Sequence, residues 1–429
     1  MEGGTNSKHP NEISQTQKAQ PSEKTAGTEK PNAANGPLTG LKVLDIATVY
    51  AAPFATALLG DYGADVIKIE LPGKGDPVRG FHPFKDNESL AWAAISRNKR
   101  AITLNLKKEK GQQLFYQLLK NQDLLFENFR PGTLDQWGVT VQKMREVNPR
   151  LIIIRVSGYG QTGPYRTKAG FGTPATAFSG YTYISGYPDK PPLSPPISLV
   201  DYVTGLFAVI GALSALYHRD AKGGAGQEID VSLFESMFRL LEVAVATYDQ
   251  TNHITERLGN DNTSAVPVGT FQTRDGKWMV LTTSTDRTFY RLADVMGRSD
   301  MKTDPRYATN IERVKRRTEV HAIVQEWFKA HDAGEIQEIF DKNGIPVSPI
   351  YNMADIFQDP QYKARGALVE VDHPVLGKIK LPNVIPKFSQ TPGTVRKTGA
   401  SIGEHNFEIF TELGLSLEDI NELKEEGVI

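Results

Sequence analysis

Residues 41–72, LKVLDIATVYAAPFATALLGDYGADVIKIELP, read as strand, helix, strand. LKVLDIA and DVIKIELP are short apolar runs rich in β-branched residues, APFATALLGDYG between them is helical in character, and the turn falls at Thr48 to Ala52. This is a βαβ unit. Its first turn carries no glycine cluster, so the pyrophosphate cradle of a nicotinamide enzyme is missing; a Rossmann-like sheet need not bind NAD. Further strands are predicted at AITLNL (101–106), DLLFENF (123–129) and LIIIRVS (151–157), with the helix GQQLFYQLLKNQ between the first two. Such alternation gives an α/β fold with a parallel, doubly wound sheet.

The near-continuous apolar run Leu151 to Val156 suits a strand covered on both faces. Ligands of such sheets bind beyond the carboxyl ends of the strands, so the glycine-rich segment that follows is where chemistry is sought first. Gly158, Gly160 and Gly163 match GxGxxG, yet they lead into Pro164 and more loop rather than into a helix. Turn glycines with positive φ explain them equally well. Ser198 to Arg219 reads as a helix with Asp201 near its start, and small residues Gly205, Ala208, Gly211 and Ala212 lie on or near one face. EIDVS then forms a short strand and LFESMFRLLEVAVATYDQ a second buried helix.

With 39% apolar and 23% charged residues, 429 residues suffice for two or three domains with ample cores. Basic and acidic residues number 49 and 50, so nothing marks a nucleic-acid or anionic membrane partner. Cysteine is absent, which excludes disulfides, thiolate catalysis and zinc-thiolate sites and fits a cytoplasmic protein. The apolar run Leu206 to Leu216 is shorter than the ~20 residues a bilayer requires and is predicted to be a buried helix. Residues 1–37 are polar, without arginine or an apolar stretch, and are expected to be a disordered tail.

Beyond Thr251 the texture changes. GTFQTRDGKWMVLTT is a hairpin signal with Asp275-Gly276 in the turn; helices are predicted from Asp286 to Gly297 and between Asn310 and Asn343, and a second hairpin at ALVEVDHPVLGKIKLP. Residues 38–254 are thus expected to form the first part of a large domain, 255–375 a smaller α+β domain, and 376–429 a return to the large one through GEHNFEIFTELG and LEDINELKEEG.

Several motifs in order, SGYGQTGPYR, GFGTPATAFSG, GYPDKPP and DYVTG, together with the opening βαβ unit, ENFRPGTLDQWGV, GAGQEIDVSLFES and GEHN, resemble the CaiB/BaiF family, the class III CoA-transferases that include formyl-CoA transferase-like enzymes. The resemblance implies transfer of CoA from an acyl thioester such as succinyl-CoA to a small organic acid, with CoA thioesters as substrates, no permanently bound cofactor, and two subunits interlocked like links of a chain. It also implies a nucleophilic aspartate just after the Gly-aromatic pair of GFGTPATAFSG. That position is Gly172. The nucleophile then lies elsewhere in the chain, or on a paralogous aspartate-bearing subunit of a hetero-oligomer, or the activity is lost.

Asp201 is the catalytic candidate in a motif, its ordinary alternative being a helix N-cap. Glu127 stands at a strand end and faces either the site or solvent; Asp189 reads as a turn residue. Tyr50, Ala51, Asn105, Lys107, Asn128, Phe129 and Arg130 match family positions that contact CoA. The cluster Arg97, Lys99 and Arg100 is either a phosphate site or a charged turn. His405 in GEHN has capping, packing and catalytic readings open. No histidine pair has HxxxH spacing, and the single His–Glu pairs supply too few ligands, so no metal site is expected. Acceptors include an aromatic succinate, since the family contains two-chain benzylsuccinate enzymes. The alternatives are an acyl-CoA racemase or isomerase, which needs a paired acid and base, and a non-catalytic CoA-binding subunit.

Overall fold

A computed structural model describes residues 36–262 and 264–429. The expected tail lies, save Gly36 and Pro37, outside the described residues.

Six parallel strands form the central sheet: β1 (Lys42–Asp45), β2 (Asp65–Glu70), β3 (Lys99–Thr103), β4 (Leu124–Glu127), β5 (Ile152–Ser157) and β6 (Glu228–Ser232), in the spatial order β3-β2-β1-β4-β5-β6. The order reverses between β1 and β4, so the crevice beyond their carboxyl ends is the expected place for a ligand. Alternation sends neighbouring residues to opposite layers. Val43 joins a core with helix α1 (Ala51–Asp61), whereas Leu44 joins one with helix α2 (Glu109–Leu119). The first layer also holds α3 (Gly172–Phe178), α4 (Leu199–Ala221) and α5 (Leu233–Phe238).

The run 233–250 does not form one helix. Arg239–Leu241 is a 3-10 turn between α5 and α6 (Glu242–Thr251). The run is buried only in α5, through Leu233, Ser236 and Met237; Val243 on α6 is 80% exposed, and on α4 Leu206, Ile210 and Leu213 face outward while Ala208, Ala212 and Ala215 are buried. Apolar periodicity marks a face that needs covering, and here the chain covers only one side of α4. At 23 residues α4 is also longer than the run Leu206 to Leu216 and, by length and composition alone, sufficient to cross a bilayer. In this fold its alanine face packs on α1 and the sheet.

A separate core gathers around the antiparallel sheet β7 (Val268–Gln272), β8 (Trp278–Thr282) and β9 (Val347–Pro349), with α7 (Asp286–Val295), α8 (Arg317–Lys329) and α9 (Ala333–Asn343) packed on it. The second hairpin, β10 (Leu368–His373) and β11 (Gly377–Pro382), follows. Helices α10 (Asn406–Glu412) and α11 (Leu417–Glu425) return to the parallel sheet, where Ile409, Phe410 and Ile420 enter the same core as Leu44.

Candidate active site

The turn from β1 to α1 is held from below by buried charges. Asp45 Oδ2 pairs with Lys99 Nζ at 2.9 Å and accepts from Thr56 Oγ1 at 2.7 Å; Lys68 lies 3.6 Å from Asp45 and 3.0 Å from Asp76 and donates to the Ala47 carbonyl. Burial alone would raise the Asp45 carboxyl, but Lys68, Lys99 and Thr56 outweigh it and hold the group below its ordinary range. Asp76 Oδ1 in turn accepts from the amides of Val49 (3.2 Å) and Val78 (3.0 Å). Val49 has φ 69°, a left-handed conformation costly for a β-branched residue and sustained only where its surroundings fix it. Asn128 completes the clamp, bonding both the amide and the carbonyl of Thr48 at 2.8 and 2.7 Å.

Above this turn two cavities meet. The first, about 410 Å³, is mainly apolar, with Ile46, Ile69, Leu71, Leu104, Leu106, Phe129 and Trp137 in its walls and the exposed cations Lys74 and Lys107 at its edge. Such a surface suits a long, partly apolar ligand with a charged end. The second, about 830 Å³, is lined by Val49, Tyr50, Phe81, Phe171, Gly172, Thr176, Asp201 and Tyr202, among others. Thr48 and Pro77 line both.

Asp201 is the acidic residue of the second cavity. It occupies the third position of α4, past Ser198 at the N-cap, and so does not cap the helix as the sequence suggested. Its carboxyl is met by its own amide, and among the described residues no cation pairs with it. Burial therefore pushes it up to about 6. Tyr50 and Tyr202 face it, and burial, with the nearby Asp201 charge, raises both phenols. Gly172 is adjacent. A Cβ placed there would lie 2.4 Å from Asp201 Oδ2.

The other candidates divide cleanly. Tyr50 lines the second cavity; Asn105, Lys107 and Phe129 line the first; Asn128 positions the turn beneath both. Ala51 is buried against the sheet layer, and Arg130 is exposed and outside the residues lining the cavities. β3 starts at Lys99 and ends at Thr103, earlier than AITLNL, so Asn105 and Lys107 belong to the turn after it. Glu127 faces neither cavity nor solvent: it is 1% exposed, paired with Arg155 Nε at 2.8 Å and bonded to the Phe129 amide. Asp189 is exposed beside Lys190. The Arg97–Arg100 cluster is neither a phosphate site nor a free charged turn, because Arg97 binds Asp61, Lys99 binds Asp45 and Arg100 binds Asp65. His405 Nδ1 accepts from the Ala101 amide at 3.1 Å, which ties α10 to β3. Gly160 and Gly163 have φ 87° and 82°, as turn glycines do. Lys74, Pro77 and Trp137 were not singled out from sequence. LPGKGDP, a glycine-flanked lysine past the end of β2, was the available signal.

The sequence profile described as CoA-transferase family III matches residues 38–406. Succinyl-CoA–D-citramalate CoA-transferase of Chloroflexus aurantiacus is 42% identical over 396 residues, covering 92% of this chain and 98% of that protein. The succinyl-CoA–L-malate CoA-transferase beta subunit of the same organism is 43% identical over 398 residues, covering 92% and 98%. Among solved structures, a CaiB/BaiF family protein from Brucella suis superposes with a TM-score of 0.79 at 32% identity, over 88% of this chain and 100% of that one. Profile, relatives and fold agree, and the chain belongs to CoA-transferase family III, the CaiB/BaiF class of transferases.

Proposed function

We propose that this chain moves CoA from succinyl-CoA to a small hydroxylated or aryl-substituted organic acid in the cytoplasm. The observation that carries this is the junction of the two cavities at Thr48 and Pro77. A thioester whose CoA lies along the apolar cavity, with its phosphates toward Lys74 and Lys107, projects its acyl carbonyl past these residues toward Asp201. Two relatives named for succinyl-CoA as donor and for citramalate or malate as acceptor support the substrate class. Hydroxyls of Tyr50 and Tyr202 line the acid side. They are suited to a hydroxylated acceptor and to the negative charge that develops on a reacting carbonyl oxygen.

The active assembly is proposed to be an interlocked pair, either of two copies or of this chain with a paralogue. The outward faces of α4 to α6, with Ile210, Tyr217, Leu240 and Val243, form the apolar surface that such a partner would cover, and one relative is named as a beta subunit. Residues 255–375 are proposed as the small domain of each protomer. A racemase finds less support, since among the described residues Asp201 is the single carboxylate lining the second cavity.

The test is to incubate the purified protein with succinyl-CoA and each of malate, citramalate and an aromatic succinate, and to follow new CoA esters by chromatography. Formation of one ester with stoichiometric loss of succinyl-CoA is expected. Succinyl-CoA left intact with every acid, by the chain alone and by whatever co-purifies with it, would reject the assignment.

A further inference from the structure

An enzyme carboxylate suits transfer between two carboxylic acids, because it takes up first the acyl unit as an anhydride and then CoA as a thioester, so that the activation is kept. Among the described residues three carboxylates line the two cavities: Glu70, Asp76 and Asp201. Glu70 is held by Arg79 at 2.6 Å and Asp76 by Lys68 at 3.0 Å, and both accept backbone amides besides. Asp201 alone has no cation against it and opens on the acid side of the junction. Its carboxylate also comes within 2.4 Å of the point from which a side chain at 172 would start. Oxygen atoms sent from α4 therefore reach the space that a residue on α3 would otherwise serve.

We propose that Asp201 is the nucleophile of this chain, acting from the start of α4 into the space left open by Gly172. The proposal rests on the CoA-transfer reading given above. Asp201 Oδ2 attacks the thioester carbonyl carbon; the C–S bond breaks, its electron pair leaves on the CoA sulfur, and a mixed anhydride joins Asp201 to the donor acyl group. The thiolate then attacks the Asp201 carbonyl, which releases the donor as its carboxylate and leaves Asp201 as a CoA thioester. The incoming acid takes the same two steps in reverse. No proton, water or oxidant is consumed. Scant solvation raises the carboxylate's basicity and with it its reactivity toward a carbonyl, while at neutral pH most of it stays ionised.

Hydroxylamine converts both activated forms irreversibly to a hydroxamate, so the attacked residue can be read directly. The full chain, alone and with any co-purifying subunit, is incubated with succinyl-CoA and hydroxylamine, digested and mapped by mass spectrometry. Exchange of labelled succinate into succinyl-CoA is measured in parallel. The expected result is a hydroxamate on the peptide carrying Asp201. In Asp201→Asn, it is absent and exchange falls on the order of 10³-fold or more, with CoA affinity kept. Gly172→Asp combined with Asp201→Ala is expected to move the hydroxamate to position 172. Exchange accompanied by a hydroxamate on another residue, or on another chain, would overturn Asp201 while leaving CoA transfer standing. An absence of exchange with every subunit combination would overturn both.

Discussion

Asp45 and Asp201 are two aspartates withdrawn from water that have been treated in opposite ways. Asp45, beneath the first turn, meets two lysines and a threonine and is held below its ordinary pKa. Asp201, at the cavity, meets its own amide and is pushed up to about 6. Low polarity makes a paired charge rigid and an unpaired one reactive. The first arrangement fixes the geometry of the crevice, and the second leaves a carboxylate committed to no cation.

The largest effect is expected where the pairing is removed. Asp45→Ala strands Lys68 and Lys99, both fully buried, without their shared partner. A loss of about 3–5 kcal/mol in urea unfolding is expected. A change under ~1 kcal/mol would mean that the lysines find other partners and that the network is not what holds the turn.

At Asp201 the sign reverses. The folded protein binds this proton more tightly than the unfolded chain does, so the group favours folding below its unfolded value near 3.8. That contribution is lost as pH rises through about 6. Asp201→Asn removes the liability and should stabilise the protein by about 1–3 kcal/mol at pH 7–8, with the gain vanishing near pH 4. Turnover of the unsubstituted enzyme should fall as pH drops through about 6, since the protonated carboxyl is no nucleophile. Tyr50 and Tyr202, which face it, remain protonated throughout that range. Thermal unfolding at two pH values and a pH–rate profile check both; a variant less stable at pH 8 would mean that the carboxylate has a partner.

A smaller effect is expected from Gly172→Ala. The methyl would start 2.4 Å from Asp201 Oδ2 and 3.1 Å from a Val200 methyl, so the carboxylate must rotate away. kcat should drop roughly tenfold, a barrier change of about 1.4 kcal/mol, with KM for the CoA ester unchanged. An unaltered kcat would show that Asp201 has room to act from another rotamer.

How much of this was legible depended on sequence distance. The strands announced themselves through local apolar runs, and LVDYVTG placed Asp201 at the start of its helix. Its role turned on whether it stood at the N-cap or three residues inside, a difference below the precision of any boundary drawn from periodicity. Arg97, Lys99 and Arg100 read as a phosphate site or a charged turn because their partners Asp61, Asp45 and Asp65 lie 36, 54 and 35 positions away. Glu127 misled for the same reason, its partner being Arg155 on the neighbouring strand. The outward face of α4 read as core because apolar periodicity reports that a surface needs covering and not which chain covers it.

The smallest effect tests the comparison from its exposed end. Lys74 carries a full charge at the edge of the first cavity, but in water, on a flexible stem between Gly73 and Gly75. Coulomb attraction to a CoA phosphate is screened there, and ordering the side chain opposes it, so such a contact contributes about 0.5–1 kcal/mol. Lys74→Ala should therefore raise KM for succinyl-CoA some two- to fivefold, leave kcat and unfolding unchanged, and lose most of its effect as ionic strength approaches about 1 M, where the screening length is ~3 Å. The Asp45 effect should persist at that salt, because no ions reach a pair at 0% exposure. If Lys74→Ala instead lowered kcat, the lysine would be orienting the thioester at the junction, and the division between a rigid charged floor and a single reactive carboxylate would have to admit a third charge.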